Sequence, residues 1–387
     1  MKGALILCFS LLSVITVYGN GRQERVKWGA VSSAKAAAAA RREAREAAEL
    51  QASAAAAAAN AVEVAAADAA DAADTDVEIL APPAAPPQRI PAGETRAVLM
   101  REELKPGDPL TLGLILDGGS HADGARPRAV LLNARDERLG AAVFFRLEPE
   151  NPEAPLLWAA VMAIPSLAGP GSARIKVERG TELLAEIPFT IGGRDFVAEE
   201  IALNAGNTAL RTEPDPQKTA ESEQLWAILN RTGTIVYGGS AFAPPVSITR
   251  RTSFFGDRRV YRYSNGKSDT AVHAGIDFGA PRGTPVTACA GGKVALARFR
   301  IVTGNSVILE HLPGLYSLYY HLDTIHVAEG DLVDTGALLG ESGDTGLATG
   351  PHLHWEIRAA GENADPDAFM AAPILDKEAI VRKLLYR

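Results

Sequence analysis

Residues 350–358 read GPHLHWEIR, and two histidines one residue apart in a short apolar run govern how the rest of the chain is read. The run alternates polar and apolar positions. That is strand periodicity, with His352, His354 and Glu356 on one face and Leu353, Trp355 and Ile357 on the other. Residues two apart along a strand are separated by about 7 Å, so both imidazoles can reach one site. An exposed strand face carrying two histidines fits this stretch equally well, and the other histidines have to decide between the two.

Six of the seven histidines fall between positions 273 and 354; His121 stands apart in the polar loop GGSHADG. In HAGIDFGAPRGTP, residues 273–285, His273 and Asp277 are four apart. In an extended chain their Cα atoms would be about 13 Å apart, too far to share one ion. The flanking glycines and Pro281 argue against a helix. A bend at Gly275 is the expected solution, because glycine adopts conformations that other residues resist. One histidine and one carboxylate held close suit a zinc ion. LYSLYYHLDTI, residues 315–325, alternates as a strand and places His321 after a tyrosine pair.

Composition bounds the rest. A net charge of −8 argues against a general nucleic-acid binder, which needs a basic surface. Residues 1–19 have Lys2 followed by an apolar run from Ala4 to Val17, too short to span a bilayer. They read as an export signal to the periplasm or cell envelope; left uncleaved, the signal would be a membrane tether. Beyond it only Cys289 remains, so no intramolecular disulfide is expected and Cys289 reads as a small buried residue. Residues 20–94 form an Ala- and Pro-rich spacer, helical or disordered, lacking the bulky stripe of a coiled coil. Seven short apolar runs over 95–193 predict an immunoglobulin-like β-sandwich as an accessory domain. A connector, 194–241, carries a helix around Leu225, Trp226, Ile228 and Leu229. Residues 242–370 predict a compact all-β domain, and 371–387 a terminal helix with Asp376 as its N-cap. The expected class is mainly β, with antiparallel sheets.

Taken together, the segments of 242–370 resemble the LytM/lysostaphin-type zinc metallopeptidases, family M23, over about a third of the chain. The resemblance rests on five blocks in order: His273 and Asp277 followed by GTPVTACAGGKV, then GNSVIL, LYSLYYHL, GDLVDTG and TGLATGPHLHWEI. The upstream FFGDRR segment and the sandwich resemble exported members less specifically. The resemblance implies zinc ligation by His273, Asp277 and His354, and makes His321 and His352 the catalytic histidines that do not bind metal. Spacing alone leaves open which of His352 and His354 holds the ion. One zinc per chain with three protein ligands would leave a fourth tetrahedral position for water, the catalytic arrangement. The implied activity is hydrolysis of peptide bonds in peptidoglycan stems or cross-bridges. The alternative is a non-catalytic LytM-type activator of cell-wall amidases; such proteins have lost ligands, whereas all five positions are present here. His311 and His326 match no functional position and read as a hairpin residue and a surface residue.

Overall fold

A computed structural model describes residues 95–116, 125–147, 157–231 and 233–385. The predicted export signal, the spacer and His121 lie outside the described residues. The first part is built from strands β1 (Arg96–Leu99), β2 (Glu103–Leu104), β3 (Pro109–Ile115), β4 (Arg128–Asn133), β5 (Arg138–Val143), β6 (Phe145–Leu147), β7 (Leu157–Ala163), β8 (Gly171–Arg179) and β9 (Glu182–Ile191). They form two sheets of order β1-β3-β7-β6 and β2-β9-β8-β4-β5. AAVFFRLEP, residues 141–149 and one of the seven apolar runs of the 95–193 region, is split. The chain leaves one sheet after β5 and enters the other at β6, turning at Phe144, which is fully buried in the core between the sheets.

The sheet containing β7 is buried on both faces. Ala160, Met162 and Ile164 point into the sandwich core, while Leu157, Ala159, Val161 and Ala163 join a second core shared with the rest of the molecule. This is the period-2 alternation of a strand, with both faces apolar because both are covered. The terminal helix packs there: Ile380 and Leu384 are buried against β3, where a Cβ at Gly113 would come within 2.3 Å of Ile380.

A connecting segment follows, with β10 (Ala198–Ala202), α1 (Ala205–Thr212) and α2 (Pro216–Leu229). Asp215 caps α2, accepting from the Gln217 N–H at 2.7 Å, and Pro216 occupies the first helical position. The helix buries Ile228 and Leu229 against Leu296, Ile308 and Tyr316, and leaves Trp226 half exposed.

The remaining strands are β11 (Arg251–Ser253), β12 (Arg258–Arg262), β13 (Ser268–Val272), β14 (Gly275–Phe278), β15 (Pro285–Thr287), β16 (Gly292–Arg300), β17 (Gly304–Leu312), β18 (Leu315–Ile325), β19 (Leu332–Val333), β20 (Leu338–Ser342), β21 (Leu353–Ala359) and β22 (Glu362–Ala364). Two further helices close the chain, α3 (Pro366–Met370) and α4 (Lys377–Leu385). Asp376 accepts from the Ala379 N–H at the start of α4, as expected of an N-cap. The main sheet runs β11-β14-β21-β18-β17-β16-β19. A smaller sheet, β10-β12-β13, includes the parallel pair β10–β12.

Candidate metal centre

The site lies on three adjacent strands of the main sheet. Asp277 on β14 is directly opposite His354 on β21, which in turn is opposite Tyr320 on β18. Residues paired across strands face the same side, so the register alone sets carboxylate beside imidazole. The Tyr320 ring stacks on His354 with its centroid 5.5 Å away and the planes 5° apart. His273 sits in the break between β13 and β14, and its Nε2 lies 3.1 Å from Asp277 Oδ1 and 3.0 Å from His354 Nδ1. His354 Nδ1 is 2.8 Å from Asp277 Oδ1.

The expected bend at Gly275 is not what brings these groups together. Gly275 is not among the left-handed residues; it lies in β14 opposite Glu356. Its lack of a side chain serves close approach, since a Cβ there would stand 2.2 Å from the Trp355 carbonyl oxygen. His273 and Ala274 instead form the short non-strand link between β13 and β14.

Each ligand-type residue is oriented by a second partner. His273 Nδ1 donates to the Phe254 carbonyl at 2.8 Å, which leaves Nε2 as a lone pair facing inward. His354 Nε2 faces the buried Glu356 carboxylate at 3.5 Å, which leaves Nδ1 inward. Asp277 Oδ2 accepts from Arg259 Nη2 at 2.6 Å, leaving Oδ1 inward. Three acceptor atoms thus face one another, and only positive charge can satisfy them. In a tetrahedral zinc site with bonds of about 2.0–2.1 Å the ligand atoms stand roughly 3.3 Å apart, close to the spacing here. The donor set of two imidazoles and one carboxylate therefore fits zinc, each imidazole held by an outer partner as metal-ligating histidines are.

The electrostatics agree. Burial disfavours a charged His354, but the Asp277 and Glu356 carboxylates outweigh burial and push it up to about 9. Burial also opposes ionisation of Asp277, yet the His273 and His354 imidazoles beside it hold its carboxyl well below the usual range.

His321 and His352 complete the cluster from one side. Their ring centroids are 4.7 Å apart, and His352 Nε2 lies 3.9 Å from Asp277 Oδ1. Strand alternation alone would aim His321 away from Tyr320's face. A β-bulge prevents this: between the pairs Val307↔Tyr319 and Asn305↔Leu322, β18 accommodates one residue more than β17. His321 takes the left-handed conformation, φ 62°, within that bulge. The loop before β21 fixes both rings. His321 Nδ1 donates to the Thr345 carbonyl and His352 Nδ1 to the Gly350 carbonyl, each at 2.8 Å, so both Nε2 atoms remain available. Burial, reinforced by His352, pushes His321 down to about 3, which keeps it neutral near pH 7.

The residues open onto a cleft of about 360 Å³ whose other walls include Glu199, Ile201 and Leu203 from the connecting segment, Tyr261 and Arg250. Glu356, Arg259 and Glu199 escaped the sequence reading. Glu356 had a signal, as its position on the histidine face; Arg259 lay in the noted FFGDRR segment; Glu199 had none. His311 and His326 are elsewhere. His311 is fully buried, bonded to the Gly291 carbonyl and to Ser317 Oγ at 2.7 Å, and next to the buried Cys289, whose thiol burial pushes up to about 12. His326 sits at the surface 3.6 Å from Glu341.

A mainly antiparallel β protein with a His-Asp-His cluster capable of holding a metal ion is the class these features define. Residues 271–366 match Peptidase family M23. Over 122 residues it is 40% identical to a DD-carboxypeptidase/endopeptidase, Mpg, of Neisseria meningitidis, a match covering 32% of this chain and 27% of that protein. Over 169 residues it is 32% identical to the peptidoglycan DD-endopeptidase ShyA of Vibrio cholerae, covering 43% and 39%. The chain thus spans well under half the length of these relatives. A solved M23 structure from Pseudomonas aeruginosa is 26% identical, covers 70% of this chain and 96% of its own, and superposes with a TM-score of 0.48.

Proposed function

We propose that this protein is a zinc-dependent endopeptidase that hydrolyses peptide bonds in the stems or cross-bridges of bacterial peptidoglycan. The observation that carries the reading is the convergence of His273 Nε2, Asp277 Oδ1 and His354 Nδ1, with the free Nε2 atoms of two further histidines beside them. His273, Asp277 and His354 would hold one zinc. Zinc supplies Lewis acidity and brings the pKa of water it binds to about 7. The chain's own residues do the rest. His321 and His352, each with Nδ1 committed to a backbone carbonyl, present Nε2 to accept a proton and return it to a leaving amine, or to hydrogen-bond a developing oxyanion. Tyr320 and Glu356 hold the His354 ring. The peptidoglycan substrate is supported by the relatives' named activities and by the predicted export signal, which would deliver the chain to the envelope.

The test is digestion of purified peptidoglycan by the full mature chain, with mass spectrometry of the released fragments. Chelation abolishes release and zinc restores it. His352→Ala retains zinc but loses about 10²-fold or more in turnover, as expected for loss of a general acid–base group, whereas His354→Ala loses the metal. Undiminished cleavage by a verified metal-free sample would overturn the reading.

A further inference from the structure

We infer that Glu199, outside the stretch that matches the family, is a positioning residue for the metal centre and acts through Arg259. The inference rests on the zinc reading above. Glu199 lies on β10 and Arg259 on β12, and the parallel register pairs them directly. Arg259 Nε donates to Glu199 Oε1 at 2.7 Å while its Nη2 donates to Asp277 Oδ2 at 2.6 Å. One guanidinium therefore bridges a carboxylate of the connecting segment and the outer oxygen of a candidate zinc ligand. Its side chain is 13% exposed, and those of Glu199 and Asp277 are 30% and 9%. Ser253 Oγ, 3.0 Å from both Glu199 Oε1 and Asp257 Oδ2, meets the same Glu199 oxygen that Arg259 does.

The charges explain why two carboxylates are needed. Arg259 fixes the orientation of Asp277 through Oδ2, which leaves Oδ1 for the ion. A guanidinium paired to Asp277 alone would draw negative charge from the ligand and set an unbalanced cation beside a divalent one. Glu199 shares that guanidinium and balances it. The planar fork of arginine is what permits both bonds at once; a lysine ammonium has no such geometry. Strand pairing also makes the arrangement sensitive to register, since a slip of one residue between β10 and β12 turns Arg259 away from the site.

The experiment measures zinc affinity of the full mature chain by competition with a chromogenic chelator, without substrate, alongside the thermal midpoint of the metal-free protein. Glu199→Gln, which keeps the shape and removes the charge, is expected to weaken zinc binding by about 10-fold, in the range found for outer-shell partners. In an Arg259→Met background the same Glu199→Gln change is expected to matter less than about twofold, because its path to Asp277 is gone. Arg259→Lys restores the charge but not the fork and is expected to fall between wild type and Arg259→Met. A purely structural role would lower the metal-free midpoint and leave zinc affinity within about twofold, and that result overturns the inference. So does an equal effect of Glu199→Gln with and without Arg259. If Arg259→Met does not fold, Glu199→Gln and Arg259→Lys still decide. Failure of the wild-type chain to bind zinc would remove the metal reading itself, whereas unaltered affinity in the variants removes only the Glu199 role.

Discussion

His321 shows how a single residue meets conflicting demands. Its side chain is wanted on the face of Tyr320, its immediate neighbour, and an uninterrupted strand cannot place both there. The bulge and the φ of 62° resolve the conflict, in a backbone conformation that costs most residues about 1–2 kcal/mol. In the proposed function it is the ring of His321 that acts, and the backbone has only to place it. Replacement by glycine and by alanine should therefore separate the two roles. Both variants lose turnover, but His321→Gly is expected to be more stable than His321→Ala by about 1 kcal/mol, since only alanine retains the Cβ that opposes the left-handed region. Denaturant unfolding of the two proteins checks this. Equal stability would mean that the backbone relaxes once the ring is gone.

At the scale of elements, the site depends on how closely β14 and β21 approach. Asp277 and His354 meet because they are paired residues of adjacent strands, and Gly275 is the point at which β14 lies hard against β21. In Gly275→Ala the new methyl would fall 2.2 Å from the Trp355 carbonyl, which is backbone and has no rotamer to change. Overpacking of this kind is expected to cost about 3 kcal/mol or more and to move Asp277 from His354. Lower thermal stability together with reduced zinc content is the expected result; wild-type zinc binding at unchanged stability would mean that the strands can separate freely. The Thr-Gly-x-x-Thr-Gly loop has the corresponding role on the other side. Backbone carbonyls of Thr345 and Gly350 orient His321 and His352, and Gly304 and Gly346 allow the loop to lie against β17.

At the scale of the molecule, the sandwich is a structural layer of the same body as the M23 domain. The outward residues of β7 and the C-terminal helix α4 share one buried cluster with Phe369, Leu312 and Ile357. Polar contacts reinforce the junction: Asp365 N–H donates to the Gly107 carbonyl and Arg258 Nη2 to that of Ser166. The cleft beside the His-Asp-His cluster, however, is walled by residues from Glu199 onward and by none of the described sandwich residues. Deleting residues 95–193 should therefore expose an apolar face and lower stability without raising turnover of a soluble muropeptide per folded molecule. Thermal unfolding and steady-state rates of the full mature chain and the deletion test this. A clear rate increase would mean that the sandwich restrains the site.

The sequence by itself determined the resemblance to family M23 over part of the chain and the mainly β class, because both rest on local information: period-2 alternation, glycine-marked turns and five ordered motif blocks that no helical segment would produce. It also supplied the five residues His273, Asp277, His321, His352 and His354, which the tertiary structure brings into one cluster. Glu356 could have been read from the same alternation. Other features were not legible, for physical reasons. Splitting AAVFFRLEP between two sheets follows from core packing around Phe144, and an apolar run has no local mark of where it changes sheets. The bulge at His321 depends on register against β17. The bond from Glu199 through Arg259 to Asp277 joins three strands distant in sequence, and a glutamate in a connector looks like any solvated charge until strand pairing sets it beside its partner. Only the tertiary structure decides such contacts, because pairing register is fixed by the packing of the whole sheet and not by the residues that meet there.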